Sequence, residues 1–215
     1  MADTFKGCAL RLCIAWLVVS ALGYWQGTAF LRLCAPVISA TVRLIAPELT
    51  SHIEIVTENA QAQVLLDARV ARPLRLDAQH TIPTGQPLPS RANVIHGLVP
   101  LVIFFCVVLA APARDLCGRG LSLALAFPIA LVIVLLTTPF QLVGLIEMAI
   151  QQHASGLGLE RAEPFTLRWM ILLEGGGRWI LPIAAALLNV TLAAWLRDGR
   201  KTETREPRAC GFLTF

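Results

Sequence analysis

The chain has 215 residues, of which 56% are hydrophobic and 15% are charged, and its formal net charge at pH 7 is +4. A water-soluble domain of this size would not bury so much apolar surface, so the composition excludes an ordinary soluble protein and predicts an integral membrane protein. A nucleic-acid partner is not expected, because membrane topology accounts for the basic residues.

The first predicted membrane span is residues 12–31, an uncharged run between Arg11 and Arg32 that follows a cytoplasmic N-terminus, residues 1–11. Tyr24 and Trp25 suit the outer interface, where aromatic rings anchor a helix. A cleaved signal peptide is the alternative, because 27–29 has the small residues of a cleavage site. The apolar pattern continues past that site, which favours an uncleaved anchor.

Residues 32–46 are predicted to form an amphipathic helix that has Pro36 near its start and ends before Pro47. Ile38, Val42 and Ile45 lie at i, i+4 and i+7 and give it one apolar face. This spacing predicts an interfacial helix or an outward extension of the first span.

Residues 47–93 change to alternating periodicity, which predicts half-buried strands. A β-meander of about three strands is expected here, with its first turn at Glu58-Asn59. Its core is thin, so it is expected to lean on the membrane surface or on a partner. The prolines of Thr81–Ser90 predict an extended tether back to the bilayer. The alternating apolar positions are Ile53, Ile55, Val64, Leu66, Ala68, Val70, Leu74 and Leu76.

Three more spans are predicted in the second half of the chain, which gives four transmembrane helices in all. The longest contains Leu121 to Ile146, 26 residues without a charge, and Pro128 and Pro139 are expected to bend it. The polar connection after it is expected to contain an amphipathic helix at 165–173. The segments are span two at 94–112, a cytoplasmic loop at 113–120, span three at 121–147, an outside loop at 148–177, span four at 178–196 and a basic cytoplasmic tail at 197–215.

The orientation follows from the basic residues that flank the spans. Those of the N-terminus, of the 113–120 loop and of the tail fall on one side of an even-numbered topology. Both termini are therefore expected in the cytoplasm of a bacterium, with the β-segment outside the inner membrane. Cysteine is absent from 47–93 and 148–177, so reduced structural thiols are expected.

Glu147 is the first candidate functional residue, because a carboxylate at the end of a long apolar helix is costly unless it is paired or near water. Arg161, Arg168 and Arg178 are its candidate partners. The alternative is that Glu147 marks the membrane interface.

Gln141 and Asn189 are the other candidates, since polar side chains within spans can hydrogen-bond across helices. Helix association is the simpler interpretation of both. No catalytic residue, cofactor site or metal site is predicted.

The sequence offers two catalytic arrangements, and neither is favoured. Ser155 and His153 lie in a polar segment with no orienting third group, and the chain has no G-x-S-x-G motif. Cys106 lies among apolar residues, which disfavours a thiolate. His96 precedes it by ten positions on one helix, which is too far for a base.

The layout resembles the exosortase H-associated membrane proteins of bacteria. The similarity lies in the single first span, the Arg-containing helix from Ala35-Pro36 to Ala46-Pro47 and the small β-segment before three further spans. It also includes Gly97-Leu98-Val99-Pro100-Leu101 and Pro139-Phe140-Gln141. The resemblance implies a four-span inner-membrane protein that acts beside a sorting enzyme for exported proteins, and it brings no catalytic motif.

The leading functional hypothesis is a non-enzymatic accessory protein that partners a membrane-embedded sorting transpeptidase. An exposed strand at Gln63–Val70 would receive an extended segment of an exported substrate. The alternative is a small transporter or channel subunit that uses the bent third span and Glu147. A hydrolase based on Ser155 and His153 is the third hypothesis.

Overall fold

The computed structural model describes residues 2–58, 61–77, 80–112 and 116–203, and the side chains within them other than those of 2–6, 58, 117 and 198–203. These residues form mainly helix, with a small β-sheet between the first two helices. The helices are α1 (Ala2–Ile45), α2 (Val94–Ala110), α3 (Leu116–Gly156), α4 (Phe165–Leu172) and α5 (Arg178–Glu203). The strands are β1 (Leu49–Glu58), β2 (Gln61–Val70), β3 (Leu74–Arg75), β4 (Thr81–Ile82) and β5 (Ser90–Asn93).

Within the described residues, three helical segments are long and apolar enough to cross a membrane: Gly7–Ile45, Gly118–Gly156 and Phe165–Arg197. The expectation of a mainly helical, membrane-embedded protein with a small sheet is confirmed at this level. The region predicted as the second span contains α2, an apolar helix of 17 residues.

Of the two alternatives for 32–46, the structure has the outward extension of the first span and not an interfacial helix, because α1 continues without interruption from Ala2 to Ile45. Pro36 lies inside it and cannot donate to the carbonyl of Arg32. Both residues are exposed, so solvent can satisfy that carbonyl. A proline on the outer surface of a long helix therefore does not end it.

The predicted meander is corrected. The main sheet has the order β1-β2-β5 and its strand pairs are antiparallel, whereas β3 pairs with β4 in a separate two-stranded sheet. The third strand of the sheet is thus Ser90–Asn93 and not the segment around Leu74. The predicted first turn falls between β1 and β2, and residues 59 and 60 lie outside the described residues.

The predicted tether lies against the sheet and is not a free linker. The amide of Leu88 donates to the carbonyl of Ala68 at 2.8 Å, and that of Val70 donates to Gln86 at 3.1 Å. Pro87 forms an isolated bridge with Arg69. The prolines exclude a regular strand here, but the intervening residues still bond to β2.

The sheet packs on the ends of two long helices, which together with it form the sheet-bearing half of the molecule. α1 contributes its length from Leu31 onward, and α3 contributes its length from Leu142 onward. Ser90 Oγ donates to the Leu142 carbonyl at 2.9 Å. The shared core contains Leu31, Ile38, Val42, Val64, Leu66, Val70, Ile82, Leu142, Val143, Ile146 and Ile150. The thin sheet therefore obtains its core from these helices.

The remainder of the helices forms the bundle half. α2 begins directly after β5, with Asn93 accepting a hydrogen bond from the Ile95 amide as its N-cap. A side chain at Gly27 of α1 would collide with Leu98 of α2, so glycine permits the close contact of these helices.

α3 exceeds the predicted span of 121–147, since it runs from Leu116 to Gly156 and takes nine residues, 148–156, from the predicted outside loop. Its extension is stabilised by burial against the sheet. α4 packs on α3, where Trp169 Nε1 donates to the Leu136 carbonyl at 2.8 Å.

A π-helical turn, Leu173–Gly177, connects α4 to α5 within the segment that was predicted as the outside loop. Gly176 has a φ of 128°, a conformation that favours glycine.

Candidate functional site

The outer edge of β1 is an edge of the three-stranded sheet, where no other strand pairs with β1 among the described residues. Even-numbered residues of β2 direct their backbone groups toward the 86–93 segment, as the bonds of Ala68 and Val70 demonstrate. Since neighbouring residues of a strand point these groups to opposite sides, the odd-numbered residues of β2 bond to β1. Their partners in β1 are even-numbered, as in Thr50 opposite Arg69.

The odd-numbered residues of β1 therefore point their amides and carbonyls away from β2. These are Ser51, Ile53, Ile55 and Thr57. Among the described residues no backbone hydrogen bond involves any of their amides or carbonyls on that side. An open edge of this length can pair with another extended chain.

The two faces of β1 differ in chemistry. Ile53 and Ile55 are half-buried and lie opposite the buried Leu66 and Val64, on the face that meets the helices. The other face carries exposed polar side chains, including those of His52 and Glu54. A strand added at this edge would meet an apolar side and a charged side.

The strand at Gln63–Val70 is not the exposed edge that the sequence hypothesis required. It is central, because β1 pairs with β2 along its length and β5 pairs with residues 63–66. Alternation shows that a strand is half-buried, but it does not reveal the order of strands in a sheet. The edge was therefore assigned to the wrong strand.

Glu147 lies in the sheet-bearing half and is 6% exposed. Its Oε2 accepts a hydrogen bond from Arg161 NH1 at 2.5 Å, which makes Arg161 its partner among the three predicted arginines. Gln151 Nε2 donates to the carbonyls of Arg161 and Ala162, each at 3.2 Å. These bonds attach the 157–164 loop to the end of α3.

Gln141 belongs to a polar cluster that joins three helices and the π-helical turn. Its Nε2 donates to Glu174 Oε1 at 3.2 Å, and the same oxygen accepts from Arg178 NH2. Arg178 NH1 lies 2.8 Å from His96 Nδ1 on α2. A guanidinium can only donate, so this contact requires Nδ1 to be the unprotonated nitrogen of His96.

Asn189 is completely buried near the opposite end of the bundle. Its Nδ2 donates to the backbone carbonyl of Ser122 at 3.1 Å and to Ser122 Oγ at 3.2 Å. Its Oδ1 has no hydrogen-bond partner within the described residues. The contact joins α5 to α3, which is the helix association that the sequence analysis favoured for this residue.

A cleft of about 600 Å³ lies between the β3–β4 hairpin and the end of α3. His80 and His153 both line it, and His80 Nδ1 lies 3.1 Å from the carboxylate of Asp77. Ser155 does not line this cleft, and no group of three or more metal-ligating side chains occurs among the described residues. The cleft is not visible in the sequence because its walls come from distant segments.

No family model, curated protein or solved structure matches the chain. The resemblance to the exosortase H-associated proteins therefore stays a prediction.

Proposed function

We propose that the protein is a four-span accessory protein of the bacterial inner membrane that holds an extended segment of an exported polypeptide for a membrane-embedded sorting transpeptidase. The open edge of β1 is the observation that carries this proposal. The membrane assignment and the peptide-binding role have separate support.

Arginine side chains mark two levels along the long helices. The distance between these levels supports four membrane spans. Arg11 and Arg32 lie about 31 Å apart along α1, at a rise of about 1.5 Å per residue. Arg178 and Arg197 lie about 28 Å apart on α5 by the same measure. Both separations match a hydrocarbon core of about 30 Å.

α2 extends between the same two levels. His96 near its start contacts Arg178 of one level, and the Leu109 carbonyl near its end accepts from Arg119 NH2 at 2.6 Å. Its 17 residues measure about 26 Å, which is at the short end of the range for a membrane span. α2 is therefore the fourth span of this proposal.

The orientation follows from the basic residues at the end opposite the sheet. Arg11, Arg119 and Arg197 flank the spans there, and further basic residues lie in the N-terminus and the tail. The positive-inside rule puts this end in the cytoplasm and the sheet outside. An exported polypeptide would thus meet the sheet after it has crossed the membrane.

Strand addition at β1 supplies a physical mechanism for holding such a polypeptide. The outward amides and carbonyls of the β1 edge would bond to the backbone of any extended segment, whatever its sequence. Selectivity would come from its side chains, since alternate positions would lie beside Ile53 and Ile55 or beside His52 and Glu54. Segments of alternating apolar and polar residues fit this edge best.

Replacing Ile53 by proline tests this role. The Ile53 amide points away from β2, so Ile53→Pro removes a docking donor and leaves the β1–β2 hydrogen bonds in place. Cells that carry only this variant should accumulate unprocessed exported proteins, as cells without the protein should. Mass spectrometry of membrane and surface fractions would measure the accumulation.

Ile53→Ala is the matched control, because it removes the same side chain and keeps the amide. It should support processing. Membrane insertion and protease resistance of both variants should match those of the unmodified protein. Normal processing with a well-inserted Ile53→Pro variant would contradict the role of the edge.

The transporter alternative stays a prediction. Its key carboxylate, Glu147, is bonded to Arg161 and lies beside the core of the sheet-bearing half. We therefore base the functional proposal on the sheet edge.

A further inference from the structure

The side of α1 that faces away from the sheet is apolar, although this part of the helix lies beside water. From Leu31 onward one side of α1 packs on the sheet. The sheet has open backbone edges and a charged face, which cannot lie in hydrocarbon. This length of α1 is therefore beside water on its free sides, and yet it exposes Leu33 at 77% and Leu44 at 81%.

The exposed apolar residues follow a heptad spacing. Leu33, Val37, Ala40 and Leu44 are separated by steps of four, three and four residues, and each of them is exposed. We call this row the α1 seam. Steps of three and four are the a and d positions of a coiled coil, so the seam is shaped to pack against another helix. Scattered exposed leucines need no explanation, but a continuous row of this kind does.

The seam continues into the membrane-spanning length of α1. Gln26 precedes Leu33 by seven residues, which keeps the same spacing, and Phe30 between them is half-buried because it also packs on the protein's own core. Gln26 is exposed, and its side chain has no hydrogen-bond partner among the described residues. An amide that faces lipid is costly, and a partner helix that hydrogen-bonds to it removes that cost.

We propose that the α1 seam joins two copies of this chain in a parallel, two-fold symmetric dimer. A two-fold interface requires a surface that complements itself. Apolar a and d positions meet this requirement, and so does Gln26, because an amide side chain both donates and accepts and can bond to Gln26 of the second copy. Two copies inserted in one membrane also share the parallel orientation that the heptads need.

Other occupants fit the surface less well. An acyl chain could cover Gln26 and Phe30, but it would not reach Leu44 on the water side and could not bond to the amide. The sheet does not cover the seam, because its contacts use Leu31, Ile38 and Val42 on another side of α1. A second α1 covers the whole length of the row.

Cysteine cross-linking in native membranes tests the dimer. In a variant whose own cysteines are replaced by alanine, Leu33→Cys and Leu44→Cys should form disulfide-linked dimers when oxidised with copper phenanthroline. Arg32→Cys is the matched control, since Arg32 is also exposed but does not belong to the α1 seam. It should give little dimer under the same conditions.

Gln26→Leu gives a second measurement on the protein with its own cysteines. The loss of the amide bond should lower the dimer association constant by about 3- to 30-fold, as measured by single-molecule photobleaching in liposomes of varied protein density. Leu188→Ala, which shortens an outward-facing residue of α5 and adds no polar group, should leave association unchanged.

Three results would overturn the proposal. One is equal cross-linking at Arg32 and at the seam positions. Another is a monomer at every protein density in liposomes. The third is cross-linking of the seam to a different membrane protein in native membranes. None of these affects the role of the β1 edge, which the Ile53 variants test on another surface.

Discussion

The two halves of the molecule use apolar side chains in opposite ways, and α1 contains both arrangements. In the bundle half it exposes large apolar residues such as Leu17 and Leu22. In the sheet-bearing half it buries Leu31, Ile38 and Val42 completely or nearly so. Apolar side chains therefore face outward in the bundle half and form the core in the sheet-bearing half. The surroundings of α1 in each half determine which role they take.

Two buried polar side chains, Glu147 and Asn189, differ in a similar way. In the sheet-bearing half, Glu147 and Arg161 form a nearly buried ion pair. In the bundle half, the buried Asn189 is uncharged and bonds to Ser122. The core of a water-exposed region can hold charged side chains as ion pairs, whereas helices in lipid associate through uncharged amides and hydroxyls. Substitutions in each half should separate these two modes.

The largest effect is expected for Arg161→Ala, which leaves the Glu147 carboxylate buried without its partner. Breaking a buried ion pair should lower the free energy of unfolding of the sheet-bearing half by about 3–5 kcal/mol. Urea unfolding in mild detergent, followed by proteolysis of the sheet, measures this loss. The exposed pair of Arg168 and Glu163 is the control, and Arg168→Ala should cost less than about 1 kcal/mol.

Partial recovery by Glu147→Gln in the Arg161→Ala background would identify the unpaired charge as the cause. A loss below about 1 kcal/mol for Arg161→Ala would instead mean that water reaches Glu147 freely.

The next effect is expected for Leu66→Ala, which empties a fully buried position in the sheet-bearing half. This change should cost about 2–5 kcal/mol, because a cavity remains where the side chain was. Leu188→Ala is the comparison, since Leu188 faces outward in the bundle half and should cost about 0.5 kcal/mol or less. The same unfolding measurement applies to both. Similar losses would show that Leu188 is covered by protein and not by lipid.

The smallest effect is expected for Asn189→Leu, which removes the hydrogen bond between α5 and α3. It should cost about 0.6 kcal/mol, the average for such bonds in a membrane. Unfolding by a graded fraction of sodium dodecyl sulfate in mixed micelles measures the stability of the bundle half. Thr191→Val, whose hydroxyl bonds only within α5, should cost less. A loss above about 2 kcal/mol would assign Asn189 more than a packing role.

The candidate site was only partly predictable. The sequence identifies Glu147 as a charged residue that needs a partner and gives three arginines to choose from. The conformation of the 157–164 loop brings Arg161 to Glu147 and makes it the partner. The sequence also predicts strands at β1 and β2. Which of them is the edge depends on Ser90–Asn93, because this segment pairs with β2, but the prolines just before it predicted a tether and not a strand. Strand order is a property of distant pairing, and alternation does not encode it.

The α1 seam is a second feature that the sequence pattern does not predict. Its heptad spacing is present in the sequence, but so is the spacing of the residues that face the sheet. Apolar residues occupy several sides of α1, so periodicity does not reveal which side is covered. Only the position of the sheet leaves Leu33 and Leu44 uncovered.

By itself, the sequence determined the solvent of this protein and the approximate positions of its helices, because long uncharged runs have few alternatives to a membrane. The tertiary structure decided that α1 and α3 extend beyond the membrane-spanning length to build a core with the sheet. It also decided that β1 is the open edge and that Glu147 bonds to Arg161. These features depend on contacts between residues far apart in the chain, which local patterns of hydropathy and charge do not specify.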